Sequence, residues 1–226
     1  MPIHPSSGPT ESAHAPCAPN WVLALALLAW LGVMLQLPLT VGKQLDQGFS
    51  VWWGLVLFFG YFTIVSNIVC ALVLTAHARP HWLRSNHWLR SQWLAASATV
   101  AIAITFLVYN LVLRSQSQAQ GYALGIDTIL HVLTPLALMA FWWRTTPRGA
   151  LHWNMLPLIA AYPSVYMIYY FVRGALIDHY PYFFMNVTNL GYAVSVRNAA
   201  LVVVVFTVLA CGMVAINRWG SGGLHK

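Results

Sequence analysis

Apolar residues run along this chain in long blocks, each close to twenty residues, with short polar gaps between them. A bilayer core about 30 Å thick is crossed by roughly 20 apolar residues of helix. Six windows meet that demand, over 21–39, 51–74, 93–113, 121–143, 155–172 and 193–216. The fourth starts softly, because 121–128 is semi-polar. No sustained alternation of apolar and polar positions suggests a membrane barrel, and helices satisfy their own backbone groups in lipid. The pattern predicts an all-α polytopic bundle of six transmembrane helices over 21–216. Residues 1–20, rich in Pro, Ser, Ala and His, read as a disordered tail, and 217–226 as a short C-terminal tail. The first tail holds no Lys or Arg, so it lacks the charged start of a secretory signal, and the first block reads as a retained helix.

Composition agrees with that pattern. Of 226 residues, 59% are hydrophobic and only 7% charged, whereas a soluble domain carries about a quarter charged residues. The net charge of +7 would suggest nucleic acid in a soluble protein. Here the basic residues sit in gaps between apolar blocks, with no nucleic-acid motif beside them, so the partners implied are membrane lipids. Arg79, Arg84, Arg90, Arg144, Arg148, Arg218 and Lys226 fall on one side of the bundle, and Lys43, Arg114, Arg173 and Arg197 on the other. That bias puts both termini in the cytoplasm, as expected of a cell inner-membrane protein. Cys17, Cys70 and Cys211 are scattered and form no disulfide or zinc pattern. The second gap repeats His81-Trp-Leu-Arg-Ser-Asn as His87-Trp-Leu-Arg-Ser-Gln. With His77 this gives three histidines, but no Cys or carboxylate joins them. Trp82, Trp88 and Trp93 instead suit a headgroup belt. No metal or cofactor is implied.

Polar groups inside the blocks are costly in lipid and so carry the functional information. In the second block Thr63, Ser66 and Asn67 stand at i, i+3 and i+4, on one helical face, with Gly60 and Cys70 on the same stripe. Their ordinary reading is a hydroxyl bonded to the carbonyl one turn back, and small residues at a close helix contact. In the fourth block Asp127, His131 and Thr134 share a face, followed by Pro135. That proline removes the amide that would bond the His131 carbonyl, so an irregular turn is expected there. Thr63 lies 12 residues past Val51 and His131 lies 10 past Gly121, about 18 and 15 Å deep at 1.5 Å per residue. The two stripes can therefore meet.

A hydroxyl opposite an imidazole is the minimum kit for nucleophilic acyl transfer. Asp127 either orients the imidazole from one turn away or is a solvated residue at the helix entrance. Asn67 or Ser66 can donate to an oxyanion. The fifth block and the loop after it hold Tyr162-Pro163, Tyr166, Tyr169, Tyr170, Arg173-Gly-Ala and Tyr180-Pro-Tyr-Phe. These read as belt tyrosines and a snorkelling arginine, or as a guanidinium gripping a carboxylate at the mouth of a lipid pocket near Tyr166 and Tyr180. Arg197, early in the last block, admits the same two readings. Asn186-Val-Thr is a glycosylation triplet of a kind common by chance.

Tyr61-Phe-Thr63-Ile-Val-Ser66-Asn67, His131-Val-Leu-Thr-Pro135, Tyr162-Pro-Ser-Val-Tyr166, Arg173-Gly-Ala and Tyr180-Pro-Tyr-Phe resemble bacterial six-span membrane proteins of poorly defined role. Those are similar in turn to the androgen-induced and androgen-dependent TFPI-regulating proteins of animals, which are intramembrane threonine hydrolases acting on fatty acid esters of hydroxy fatty acids. The resemblance runs from the first block to the last. It implies a nucleophilic threonine at Thr63, a partner histidine at His131 and a fatty-ester substrate. Beside it stand a small-molecule transporter, whose polar stripes would line a path, and a catalytically silent scaffold. Asp127 as the lone acid in a block and the lack of an internal repeat speak against transport. A di-haem cytochrome would need paired histidines at depth, and His131 has no mate.

Overall fold

A computed structural model describes residues 20–80 and 87–219. The tail expected over 1–20 lies outside the described residues except for Asn20, as does the first copy of the His-Trp-Leu-Arg repeat. The described residues are helical, with no strand among them. In chain order the elements are α1 (Asn20–Asp46), α2 (Val51–Phe58), α3 (Phe62–Ala78), α4 (Gln92–Gln116), α5 (Tyr122–Thr145), α6 (Trp153–Ile177) and α7 (Val187–Trp219). Five of these are each long and apolar enough to cross a membrane, and the pair α2 and α3 makes a sixth if counted as one crossing. The chain is an all-α membrane bundle.

α1 and α3 pack antiparallel. Val22, Ala26 and Ala29 share a core with Ala71, Leu74 and Ala78, while Val33 shares one with Ile64. The Trp30 indole donates to the Thr75 hydroxyl at 3.1 Å. Small residues (Ala71, Ala76, Ala95, Ala98) fill this half and let α1, α3 and α4 approach closely. α3 therefore returns along α1, which is what a single bent crossing requires. Its last turn reaches Ala78, so His77 is helical rather than part of the loop. Its Nδ1 sits 2.8 Å from the Val73 carbonyl, and its ring stands edge-on to Phe141.

The expected continuous second span is corrected. It breaks at Phe59–Tyr61, and its two arms differ in direction by 75°. Freed backbone groups at membrane depth need partners inside the protein, and α6 with its following loop supplies them. Arg173 donates to the carbonyls of Val56 (3.1 Å) and His179 (3.3 Å). A cation there also suits the carbonyl end of α2. The Tyr166 hydroxyl donates to the Gly60 carbonyl at 2.8 Å. The Tyr182 hydroxyl accepts from the Phe62 amide, the first of α3, at 2.8 Å. A Cβ on Gly60 would lie 2.7 Å from the guanidinium carbon of Arg173. A side chain there would push the guanidinium away from the carbonyls of Val56 and His179.

Two other spans are irregular without breaking. α4 closes with a π-helical stretch, Tyr109–Leu113, and a 3₁₀ turn, Arg114–Gln116. α5 contains another, Ile129–Leu133, in which the Thr134 amide bonds the Ile129 carbonyl. The second lies just before Pro135 and is the irregular turn expected there. Pro163 sits inside α6, and Ser97 donates to the Ile159 carbonyl that the proline leaves free, at 2.7 Å. α7 bends at Gly191, where φ is 73°, and Asn186 caps its start by accepting from the Asn189 amide at 3.2 Å. At its other end Asn217, inside the stretch read as a tail, is fully buried. It bonds the Leu151 amide and the Pro147 carbonyl.

Candidate functional site

The break places Thr63 in the first turn of α3, and this decides what its hydroxyl can do. A threonine inside a helix usually donates to the carbonyl four residues back. Thr75, Thr99, Thr105, Thr128, Thr145 and Thr207 all do so. For Thr63 the residue four back is Phe59, within the break. Its hydroxyl has no hydrogen-bond partner among the described residues, although the residue is only 8% exposed. The ordinary reading, a hydroxyl spent on its own helix, does not hold here.

His131 comes from the π stretch of α5 and is held on three sides. Its Nδ1 lies 3.0 Å from the Asp127 carbonyl and 3.1 Å from the Asp127 carboxylate. Its ring stacks on Tyr109, from the π stretch of α4, with centroids 3.9 Å apart and planes 15° from parallel. The Tyr109 hydroxyl donates to the other Asp127 oxygen. Two acceptors at Nδ1 require the proton there, which leaves Nε2 as the basic nitrogen. Nε2 has no partner among the described residues. Asp127 thus faces the imidazole rather than open solvent. The aspartate and histidine side chains are 17% and 13% exposed.

Thr63, Asp127, His131 and Tyr109 line one open cavity of about 1150 Å³ at the end of the bundle where α1 stops and α2 starts. Gln36, Lys43, Gln44, Asp46, Gln116 and His179 also line it. Thr63 and His131 share this cavity without a hydrogen bond between them. On its other side Thr63 lines a second, narrow slot of about 80 Å³ between α4, α6 and α7, walled almost wholly by carbon. Thr63, Leu113 and Tyr182 belong to both walls.

No family model, curated protein or solved structure matches this chain.

The other expected site residues have different employment. Asn67 spends its amide hydrogens on the carbonyls of Thr63 (2.8 Å) and Leu130 (3.2 Å). It clamps α3 to α5 and has no donor left for an oxyanion. Ser66 is within 2.9 Å of the Tyr162 hydroxyl and fully buried. Arg173 is inside the protein, bound to the break, and neither it nor Tyr180 lines the cavity or the slot. Tyr180 rests on Gly174, where a Cβ would collide with its ring. Tyr166 holds the break and lines the slot. Among the described residues Arg197 bonds only its neighbour Asn198, at 3.2 Å, on an exposed face. Tyr109 and Tyr182 were missed. Each looks in sequence like one more belt tyrosine. A weak signal existed for Tyr182, in its position within the dense Tyr-Pro-Tyr run. For Tyr109 there was none.

Proposed function

We propose that this protein is an intramembrane lipid-ester hydrolase, with Thr63 as nucleophile and His131 as general base. The observation that carries the reading is a free threonine hydroxyl and a free imidazole Nε2 on one cavity wall, with the imidazole oriented by a carboxylate. The Thr63 oxygen attacks the ester carbonyl and its proton passes to His131 Nε2. That proton then goes to the departing alcohol, leaving an acyl-threonine. A water activated by the same nitrogen releases the fatty acid. Asp127 fixes the tautomer and steadies the imidazolium, and Tyr109 holds Asp127. The mechanism requires the Thr63 hydroxyl and His131 Nε2 to come within hydrogen-bond distance as the ester binds beside them, as is common for sites that are loose when empty.

With Asn67 and Ser66 committed elsewhere, Tyr182 is the oxyanion donor. Its oxygen accepts from the Phe62 amide and pairs with the Tyr166 hydroxyl, whose own hydrogen goes to the Gly60 carbonyl; in this reading an oxyanion at Thr63 draws the Tyr182 hydrogen away from that neighbour. Burial pushes the Tyr182 pKa up to about 12, so Tyr182 keeps that hydrogen at neutral pH. The resemblance to threonine hydrolases of fatty esters supports the same pair of residues. The excess of Lys and Arg on the side of the 79–90 loop supports cytoplasmic termini, as in a cell inner-membrane protein, and with that orientation the cavity faces outward.

The test is hydrolysis of acyl esters by purified protein in lipid nanodiscs. Wild type is expected to turn them over and folded Thr63→Ala to be inactive. A folded Thr63→Ala with wild-type activity overturns the reading, and inactivity of wild type towards every acyl ester leaves transport or a silent scaffold.

A further inference from the structure

The two spaces that meet at Thr63 differ in chemistry, and that difference defines a substrate. The slot is lined by Phe62 and Thr63 at the start of α3, Val108 on α4, Ala160 on α6 and Val203 on α7. Val203 is 45% exposed on α7, a helix long and apolar enough to span the membrane. The slot therefore opens sideways between α6 and α7 towards hydrocarbon. Its surface is mostly carbon, and the hydroxyls of Thr105, Thr207 and Tyr166 on its walls are already given to backbone carbonyls, so it suits one acyl chain. The cavity on the other side of Thr63 is more than ten times larger and is open at the bundle end. Its walls carry the amides of Gln36, Gln44 and Gln116, with Lys43, Asp46 and His179. Leu39, Phe49, Trp53, Leu57 and Phe183 line it as well, but its amides, charges and open end give a hydroxyl-rich group the hydrogen-bond partners and water that the slot does not offer.

Resting on the Thr63 reading above, we propose that the substrate is a single-chain ester of a polar polyol, of the monoacylglycerol type. Its first acyl carbons lie in the slot, the rest of the chain in the bilayer, and its alcohol in the open cavity. The ester carbonyl falls where the two spaces meet, between Thr63 and Tyr182. After acyl transfer the alcohol leaves by the cavity to water, and the fatty acid leaves sideways to lipid. This departs from the resemblance, which implies esters whose two halves are both long chains.

Purified protein in nanodiscs would be assayed with 1-palmitoylglycerol, with the palmitate ester of 12-hydroxystearic acid and with p-nitrophenyl acetate. The expected result is a kcat/KM at least about tenfold higher for 1-palmitoylglycerol than for the two-chain ester. Ala160→Phe, and separately Val203→Trp, should fill the slot and raise the preference for acetyl over palmitoyl ester by about tenfold or more. Two plugs on different helices guard against one failing to fold. Equal or better turnover of the two-chain ester overturns the substrate class, as does an unchanged acetyl-to-palmitoyl ratio in folded plug variants. In either case, acetyl-ester hydrolysis that disappears in Thr63→Ala leaves the nucleophile standing. Absence of Thr63-dependent hydrolysis for all three esters overturns both.

Discussion

Two threonines on α3 live in opposite conditions. Thr75, near one end, gives its hydrogen to the Ala71 carbonyl at 2.7 Å and accepts from the Trp30 indole. It sits among close-packed alanines in a part of the bundle without a break. Thr63, at the other end, has neither bond, and both its flanks open onto space. One helix and one side-chain type therefore give a staple at one end and an available hydroxyl at the other. The difference comes from the backbone. A threonine in the first turn has no carbonyl of its own helix beneath it, and the chain before α3 has turned away by 75°. In lipid such a break is tolerated only when its polar groups are met. Here Arg173, Tyr166 and Tyr182 meet them.

Substitutions can break or sharpen this contrast. The largest effect is expected for Thr63→Ala or His131→Ala, each lowering ester turnover by about 10⁴-fold, with the double variant little worse than either. Thr75→Ala should leave kcat within about twofold of wild type while costing about 1 kcal/mol of stability in a denaturation assay. Next comes Tyr182→Phe, where loss of a preorganised donor should cut kcat by about 10²-fold with KM nearly unchanged. Restoring a more acidic phenol there, as 3-fluorotyrosine, should return at least wild-type rate. A role confined to the Phe62 amide would show no such dependence on acidity. Among the site residues the smallest kinetic effect is expected for Tyr109→Phe, which keeps the stacked ring but frees Asp127. kcat should fall about tenfold, and a fall as deep as that of His131→Ala would mean the tyrosine does more than hold the carboxylate.

Hydropathy made the spans legible, since lipid demands long apolar helices whatever the partners. Pro135 made the irregular turn at His131 legible, because a missing amide is a local fact. The break in the second span was not. Gly60 is an ordinary residue in a membrane helix, and what makes it a hinge is a guanidinium from Arg173, far along the chain. For the same reason the stripe of Thr63, Ser66 and Asn67 was visible but its division of labour was not. Periodicity puts three groups on one face, and only packing shows that Asn67 bonds the Leu130 carbonyl and Ser66 faces Tyr162. Asp127 beside His131 followed from helical spacing. The Tyr109 that completes the set required knowing that two π stretches meet.

The most direct measurement asks whether Thr63 is a nucleophile at all. Wild type, Thr63→Ala, Thr75→Ala and His131→Ala would be treated with a fluorophosphonate probe in nanodiscs, and the modified residue located by mass spectrometry of the peptides. The expected result is a phosphonylated Thr63 in wild type and Thr75→Ala, no label in Thr63→Ala, and much slower labelling in folded His131→Ala. Label retained by folded Thr63→Ala, or wild-type labelling rates without His131, would contradict the assignment of that pair as nucleophile and base.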